Sequence, residues 1–428
     1  MPFPQSRRRF LAHAAATIGL AISGRVGLCA ETQIPQTGTT SKQLRPLDDL
    51  MSGFLAKHKL PGAALAVGRA GKVLYSRGFG WADVEGKKAV QPDSLFRLAS
   101  ISKSITAVTV MSAVEGGRIA LDDKLLPLLG DLVPVDIPDA RWRDITLRHL
   151  LQHTAGWDRE KSFDAMFRAV PFAQELGVDP PAKPEHIIRV MLKRPLDFTP
   201  GERFAYSNFG YCLLGRVLER LDGTSYFDSV RERVLCPLQL HQLCMGQTLK
   251  EHAHPDEVSY YGAANATGPS VFSPQVGQPV PWPYGAWHLE AMDAHGGWIG
   301  SAPDLVRFAM SLDQQPSLSI LRADSLRAMW DRPLRDSGYV FDEKSKDVHY
   351  GLGWMVRTLP EEKGINVWHT GSLDGTSTIL VRRYDGFCWA VLFNSRHGFN
   401  PESEKYDILP TKEIDVQVHA AVDAAWPN

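Results

Sequence analysis

Residues 96–106 read Phe-Arg-Leu-Ala-Ser-Ile-Ser-Lys-Ser-Ile-Thr, and Ser100 stands three positions before Lys103. Apolar residues then recur at spacings of three, which predicts a helix with one buried face: Ile105, Val108, Met111 and Val114. Ser100 would lie in the first turn, where free backbone N–H groups favour a developing negative charge. Lys103 would lie one turn further on the same face. Its amine could take the Ser100 proton if burial lowers its pKa.

An S-x-x-K match is expected by chance about once in a chain of this length, so its meaning depends on its companions. Two further motifs follow in order, Tyr206-Ser207-Asn208 and His369-Thr370-Gly371. Together the three motifs resemble the S-x-x-K, S-D-N (or Y-x-N) and K-T-G set of the serine β-lactamase and penicillin-binding protein superfamily. The Y-x-N form is typical of the branch that holds class C β-lactamases, D-alanyl-D-alanine carboxypeptidases and related esterases.

The resemblance extends beyond these motifs, over roughly residues 45 to 425. Three further segments look like landmarks of the same family, namely residues 150–156 (LLQHTAG), 296–301 (GGWIGS) and 350–354 (YGLGW). Three ordered motifs with matching flanks form a specific signal. The resemblance implies a serine hydrolase that works through an acyl-enzyme.

The expected fold class is α/β (α+β), with an antiparallel five-stranded sheet flanked by helices and a mostly helical lobe. Alternating or apolar runs predict five strands, at residues 63–68, 73–80, 365–368, 376–382 and 389–394. Helices are expected near residues 47–55 and 414–426. Because strands occur at both ends of the chain, one sheet closed by the two termini is predicted. The hydrolase domain would span residues 46–426, with a sheet lobe from about 46–115 and 340–426 and a helical lobe from about 116–339.

The first 30 residues resemble a bacterial twin-arginine export signal. Arg7, Arg8 and Arg9 precede a modest apolar run and small residues near Ala30, where cleavage is expected. Residues 31–45 are polar and proline-containing, so they are predicted to be a flexible linker. A periplasmic or secreted protein follows, with no stable membrane span after removal of the signal.

Composition excludes several other classes of protein. The formal net charge is -1 and 44% of the residues are hydrophobic, without a basic patch dense enough for nucleic acid. His149 and His153 are four residues apart, but the glutamate of an H-E-x-x-H zinc motif is missing. No G-x-S-x-G elbow and no nucleotide-binding loop occur. We therefore expect no metal and no cofactor, and a small-molecule or peptide substrate; the oligomeric state stays open.

The resemblance also implies a role for each motif residue. Ser100 is the expected nucleophile, and its backbone N–H with that of Ser372 would form the oxyanion hole. Lys103 and Tyr206 would share the work of the general base, and which one holds the proton at each step stays open. Asn208 would orient Lys103 and the substrate.

His369, Thr370 and Gly371 are expected to bind the substrate, together with Asn208 and Ser372. His369 departs from the commoner lysine and is mostly neutral near pH 7. This change disfavours the carboxylate of β-lactams and favours esters, amides or peptides.

Two loops are predicted to border the groove. Residues 251–289 are rich in proline and glycine, and their aromatic residues Trp282, Tyr284 and Trp287 suggest one wall, while residues 158–184 suggest another. The favoured function is ester or amide hydrolysis, followed by D-alanyl-peptidase or weak β-lactamase activity. The alternative is a non-hydrolysing penicillin binder or sensor that is acylated without turnover.

Overall fold

The structure, a computed structural model, describes residues 34–262, 266–313, 319–333 and 347–427. The predicted export signal at residues 1–30 lies outside this part of the chain. No helix in the described ranges combines the length and the apolar character that a bilayer crossing needs.

The described helices fall mostly between the two sequence regions that supply the main sheet. They are α1 Arg45–His58, α2 Ser102–Glu115, α3 Leu125–Leu129, α4 Leu147–Leu151, α5 Ala169–Leu176, α6 Pro184–Met191, α7 Asn208–Asp222, α8 Tyr226–Val230, α9 Cys236–Leu238, α10 Asp293–Gly296, α11 Ala302–Met310, α12 Ala323–Trp330 and α13 Pro410–Ala425.

The described strands form one large sheet and three small ones. They are β1 Gln36–Thr37, β2 Gly62–Arg69, β3 Lys72–Asp83, β4 Lys88–Ala89, β5 Phe96–Arg97, β6 Cys244–Met245, β7 Thr267–Pro269, β8 Pro279–Pro281, β9 Trp298–Gly300, β10 Val348–Tyr350, β11 Met355–Thr358, β12 Ile365–Leu373, β13 Thr376–Arg382, β14 Cys388–Phe393, β15 Gly398–Asn400 and β16 Lys405–Ile408.

The main sheet has the strand order β1-β3-β2-β14-β13-β12-β11-β10, and every neighbouring pair is antiparallel. The five predicted strands are confirmed and form its centre, as β3, β2, β14, β13 and β12. The two ends of the chain meet where β2 pairs with β14, with Ala66 opposite Ala390. Short strands that were not predicted from the sequence extend this five-stranded core at its edges.

Helices cover both faces of this sheet, and the composition of β2 reflects it. Residues 62–68 are buried without interruption, as expected for a strand that faces two cores. Ala63, Leu65 and Val67 pack into the cluster that holds α1 and α13. Ala64 and Ala66 face the larger cluster that holds α2 and the other helices. The sheet therefore separates a small core from a large one.

The predicted single buried face of α2 is wrong. Ten consecutive residues, 102–111, are buried, including two serines, two threonines and Lys103. Val114, assigned to the buried face, is only partly buried. A helix buried on all sides lies in the interior of a protein, here between the sheet side and helices α7, α8 and α10. The buried hydroxyls of α2 are hydrogen-bonded, either within the helix, as when Thr109 donates to the Ile105 carbonyl at 2.9 Å, or to other segments, as when Ser104 donates to the Gly353 carbonyl at 2.8 Å.

Part of the predicted linker belongs to the fold. Gln36 and Thr37 form β1 and pair with Phe79 and Gly78 of β3, so the polar stretch adds an edge strand. The Thr37 hydroxyl donates to the Val90 carbonyl at 2.5 Å. Low hydrophobicity did not prevent strand formation, because an edge strand needs only backbone partners on one side.

The predicted aromatic wall over the groove is also wrong. Tyr284 and Trp287 pack against the guanidinium of Arg97, which lies 5.4 Å and 5.2 Å from their ring centres. Arg97 and Glu257 are both fully buried and 3.6 Å apart. The Arg97 guanidinium also donates to the Pro283 carbonyl at 2.6 Å. These aromatic residues therefore attach the 251–289 loop to β5, three residues before Ser100, rather than line the substrate groove.

Candidate active site

Ser100 lies in a 3-10 turn, Ala99–Ile101, directly before α2 begins at Ser102. The residue before it, Ala99, has φ +48, a left-handed conformation that is uncommon for a residue with a side chain. The turn is held from the sheet side, because the Thr378 hydroxyl donates to the Leu98 carbonyl at 2.9 Å. Ser100 is partly exposed and lines two of the cavities beside it. The sequence predicts Ser100 in the first turn of the α-helix. In the structure, Ser100 lies in the 3-10 turn that precedes this helix.

Gly371 allows β12 to approach this turn. A Cβ atom at position 371 would collide with the Leu98 carbonyl oxygen and lie 3.1 Å from the Ala99 Cβ. The absence of a side chain therefore brings the next residue, Ser372, to the cavity that Ser100 lines. This close approach is the physical reason for glycine in the third position of the H-T-G motif.

The Lys103 amine is buried and contacts three oxygens. It lies 2.8 Å from the Asn208 Oδ1, 2.9 Å from the His295 carbonyl and 3.1 Å from the Ser100 Oγ. Burial lowers the pKa of this amine well below its ordinary value, against the opposing charge of Asp164. A neutral amine has two protons, and the two carbonyl-type oxygens can only accept them. The nitrogen lone pair is then left for the proton of the Ser100 hydroxyl.

Tyr206 lies on the other side of the nucleophile. Its hydroxyl is hydrogen-bonded to Ser100, and burial raises the pKa of this phenol above its ordinary value despite that bond. The ring packs against His153 in a tilted arrangement with 4.3 Å between centroids, and the Lys103 amine lies 4.9 Å from the ring centre. Tyr206 is therefore a protonated phenol that can donate to an atom bonded at the Ser100 site.

Asn208 begins α7, after Ser207 caps the helix by accepting from the Gly210 N–H at 3.3 Å. Its amide oxygen accepts from Lys103 and its Nδ2 donates to the Asp164 carboxylate at 2.6 Å. The cap therefore fixes the direction of the side chain, and Asp164 fixes which end of the amide faces Lys103. Asp164 has no counterpart in the motifs, and its chain position 44 residues away gave no signal.

His369 is buried and makes two hydrogen bonds. Its Nδ1 lies 2.8 Å from the Thr370 carbonyl, an acceptor only, so Nδ1 carries the proton. Its Nε2 therefore accepts from the Tyr350 hydroxyl at 3.0 Å. Burial, with a smaller contribution from Lys103, lowers the pKa of His369 to about 3. His369 is thus neutral at physiological pH, in agreement with the prediction from the sequence.

The positive charges of the site come from two arginines that the motifs do not contain. Arg159 lies 5.1 Å from the Tyr206 ring centre and lines both cavities that Ser100 lines. Arg396 lines the same two cavities and donates to the Ser372 Oγ at 3.2 Å. Arg159 belongs to the predicted 158–184 wall, and this part of the expectation agrees with the structure. No motif or pattern in the sequence marks Arg396.

His149 and His153, which have the spacing of metal ligands, are hydrogen-bonded to the backbone. His149 Nδ1 accepts from the Thr146 N–H at 3.3 Å, and His153 Nδ1 accepts from the Ser207 N–H at 3.1 Å. Within the described ranges, no group of three or more histidine, cysteine or acidic side chains is placed to hold a metal ion. His153 instead packs against the Tyr206 ring, with 4.3 Å between the ring centroids.

The fold and this arrangement define a class of protein, the serine hydrolases of β-lactamase fold. The chain belongs to the beta-lactamase family, whose family model matches residues 47–411. The resemblance to the serine β-lactamase and penicillin-binding protein superfamily is therefore confirmed.

Particular relatives are similar at moderate identity. Penicillin-binding protein 4* of Bacillus subtilis is 27% identical over 341 residues, which cover 79% of this chain and 69% of the relative. The octameric penicillin-binding protein homologue of Pyrococcus abyssi is 26% identical, with a TM-score of 0.62 over 82% of this chain and 73% of that chain. The chain spans between 55% and 70% of the length of the first curated relatives it matches.

The D-amino acid amidase of Ochrobactrum anthropi SV3 shares the fold. Its TM-score is 0.65 over 90% of this chain and 98% of that chain, at 22% identity.

Replacing Gly371 by alanine should separate β12 from the Ser100 turn. The new methyl group meets the Leu98 backbone, which cannot rotate away, so the strand must move. A displacement of even 1 Å at a catalytic centre can lower kcat/KM by ~100-fold. The matched control is Gly53→Ala in α1, where a Cβ meets nothing within 4 Å. The kcat/KM of ester hydrolysis and the thermal unfolding of both variants test this prediction. A wild-type kcat/KM in Gly371→Ala would contradict it.

The neutral state of His369 predicts a pH-dependent stability. In the unfolded chain a histidine takes up a proton as the pH falls through 6.5, whereas folded His369 stays neutral to about pH 3. The unfolded state then binds more protons, so the free energy of unfolding falls as the pH is lowered. Between about pH 7.5 and about pH 5.5 this residue should account for a loss of about 1.4 kcal/mol.

His369→Gln should lack that part of the pH slope, which urea unfolding at the two pH values measures. Other buried histidines contribute equally to wild type and variant and cancel in the comparison. His252→Gln, at an exposed position, serves as the control and should keep the wild-type slope. Equal slopes in wild type and His369→Gln would show that His369 is not held neutral.

Proposed function

We propose that the protein hydrolyses esters or amides through an acyl-enzyme on Ser100. The observation that carries this proposal is the buried Lys103 amine, whose two acceptor contacts leave its lone pair for the Ser100 hydroxyl. A hydroxyl next to a neutral, desolvated amine is an activated nucleophile.

In acylation, the Ser100 Oγ bonds to the substrate carbonyl carbon while its proton moves to Lys103. The oxyanion would be held by the backbone N–H groups of Ser100 and Ser372, each worth on the order of 3 kcal/mol in such sites. When the tetrahedral intermediate collapses, Tyr206 donates its proton to the departing oxygen or nitrogen. The Lys103 ammonium then returns a proton to Tyr206, and the Ser100 ester remains.

In deacylation, a water attacks the Ser100 ester and gives its proton to Lys103, the base that takes the Ser100 proton in acylation. Collapse of the second intermediate breaks the bond to Ser100 Oγ, which recovers a proton, and releases the acid product. Asn208 supports both halves, because it holds the Lys103 amine by a 2.8 Å hydrogen bond. No metal or cofactor is part of this proposal.

The substrate need not be uncharged. The absence of a lysine at position 369 removes one cation, but Arg159 and Arg396 flank Ser100 in the same cavities. Their guanidinium groups can pair with a carboxylate. We therefore keep D-alanyl-peptidase and weak β-lactamase activity as further activities of the same site, in line with the similarity to penicillin-binding protein 4*.

Ser100→Ala should abolish covalent labelling by a fluorophosphonate probe and lower ester turnover at least ~1000-fold. Removal of one hydroxyl leaves little void, so the fold should persist. Ser104→Ala is the matched control, because Ser104 lies four residues after Ser100 but is buried and donates to the Gly353 carbonyl at 2.8 Å. Labelling that persists in Ser100→Ala and maps to Ser102 or Ser104 would refute the assignment.

The same assay separates an enzyme from a penicillin binder that is acylated without turnover. An enzyme shows a steady phase of product release after the burst, with short-chain p-nitrophenyl esters, nitrocefin or D-Ala-D-Ala peptides. A trap shows only the burst. A burst of one equivalent without a steady phase, seen with every substrate, would contradict hydrolysis and support the penicillin binder or sensor.

We also propose export by the twin-arginine route, from Arg7 and Arg8 in the basic start of the sequence. Replacing both by lysine should leave the protein in the cytoplasm with residues 1–30 still attached, as fractionation and intact mass would show. Normal export of the double variant would contradict this assignment; a variant with Arg25→Lys is the matched control.

A further inference from the structure

The two oxygens that accept hydrogen bonds from the Lys103 amine belong to different helices. The Asn208 Oδ1, 2.8 Å away, is placed by α7, because Asn208 is the first residue of that helix. The His295 carbonyl, 2.9 Å away, belongs to α10, which has only four residues. A helix of a single turn has too few internal hydrogen bonds to fix its own position. Contacts from other elements must therefore hold the His295 carbonyl in place.

One of these contacts comes from α2 itself. The Thr106 hydroxyl donates to the Ala294 carbonyl at 2.6 Å. Thr106 lies one turn after Lys103 on α2, and Ala294 directly precedes His295 on α10. Two successive carbonyls of α10 thus accept from two successive turns of α2. These bonds hold the middle of α10 and leave its first residue to another element.

The first residue of α10, Asp293, is held by an ion pair with α7. The Arg216 Nη2 lies 2.5 Å from the Asp293 Oδ2. The other oxygen of the same carboxylate accepts from the Ala294 N–H at 2.6 Å. Arg216 is also oriented by Glu219, one turn further along α7, because its Nη2 donates to the Glu219 Oε1 at 3.0 Å. The Asp293 carboxylate therefore connects the guanidinium to the backbone of α10.

The two helices are in close contact at this ion pair. A Cβ atom at position 215 would lie 2.8 Å from the Ala294 Cβ, so Gly215 allows α7 to approach α10. The side chains of Arg216 and Asp293 are only 7% and 15% exposed. Water screens such a pair less than it screens a surface pair, and removal of one partner leaves a buried charge without compensation. The ion pair is thus a strong constraint on α10.

Both acceptors of the amine consequently depend on α7, Asn208 directly and the His295 carbonyl by way of Arg216. If that carbonyl moves, one N–H of the neutral Lys103 amine loses its acceptor. The oxygen that remains for it is the Ser100 Oγ, 3.1 Å away, and an amine that donates to this oxygen cannot take its proton. Water that replaces the carbonyl would also favour the ammonium form and raise the pKa of Lys103.

We propose that Arg216 is a positioning residue for the general base. It acts through Asp293, which fixes α10 and so holds the His295 carbonyl against the Lys103 amine. Arg216 lines neither of the two cavities that Ser100 lines, so its effect does not come from contact with the substrate. This inference rests on the proposed function, because it concerns the base of that reaction.

The other charged or titratable groups around Lys103 stay unchanged in the variants used below. Asp164 raises the pKa of the amine and Arg159 lowers it. The remaining groups come from several elements and are His153, Tyr206, Tyr211, His295 and His369. A change in the pH profile of a variant therefore reports the surroundings of the base and not a new titrating side chain.

Arg216→Met tests the inference with a neutral substrate, p-nitrophenyl acetate. The kcat/KM at pH 7 should fall about 100-fold, because a displacement of ~1 Å near a catalytic group can have an effect of this size. The acid limb of the pH profile of kcat/KM reports the base of the free enzyme. It should move to higher pH, since water reaches the amine and raises its pKa.

A second substitution tests whether Arg216 acts through Asp293. Asp293→Ala should cause the same loss and the same shift of the acid limb. The double variant Arg216→Met, Asp293→Ala should be no worse than either single variant, because the two residues belong to one chain of contacts. The double variant also removes both charges of the pair, so it keeps the test valid if a single variant with an unpaired buried charge does not fold.

The matched control is Arg383→Met. Arg383 and Asp385 form an ion pair with the same exposed fractions, 7% and 15%, in the turn between β13 and β14. Thermal unfolding should show a loss of stability in both Arg216→Met and Arg383→Met. Only Arg216→Met should change kcat/KM and the acid limb.

A wild-type acid limb in Arg216→Met or in the double variant would overturn the inference. An equal loss of kcat/KM in Arg383→Met would do the same, because the effect would then follow stability alone. Additive effects of the two substitutions would show that Arg216 does not act through Asp293. Failure of the proposed function looks different, because wild type would then turn over no ester and Ser100 would not be labelled by the fluorophosphonate.

Discussion

The structure depends on excluding water from the Lys103 amine. A lysine in water is charged near pH 7 and has no lone pair for a serine proton. Here the amine is fully buried, and two carbonyl-type oxygens accept its protons. Desolvation then favours the neutral form. The cost of burying an amine is offset only where its polar contacts are made, and Lys103 makes them inside the enclosed helix α2.

The surrounding elements can be understood from this constraint. The cap at Ser207 directs Asn208 towards Lys103, and Asp164 fixes the amide orientation from the opposite side. Thr378 and the bare backbone at Gly371 hold β12 against the turn that presents Ser100. The sheet therefore acts as a support for the nucleophile as well as a core-forming layer.

The charges of the site are distributed in an unexpected way. Burial lowers the pKa values of Lys103 and His369, the two basic residues of the motifs, and so disfavours a positive charge on either. The charged groups instead lie on loops and edges around the groove, at Arg159, Arg396 and Arg357. Acid–base chemistry and attraction of a charged substrate therefore depend on different residues. A substitution can change one of these properties without the other.

The sequence by itself determined the family, the five central strands, and the motif residues that contact one another, because periodicity and short motifs are local properties of a chain. It failed where the outcome depends on residues far apart in the chain. The one-sided α2 was wrong because two layers cover it, and the aromatic wall was wrong because Tyr284 and Trp287 surround the buried Arg97. Arg396 reaches the site only through tertiary packing, since nothing near it in sequence marks it, and the predicted 158–184 wall did not single out Asp164 as the partner of Asn208. Burial, which decides the pKa values of Lys103 and His369, is likewise a property of the folded chain alone.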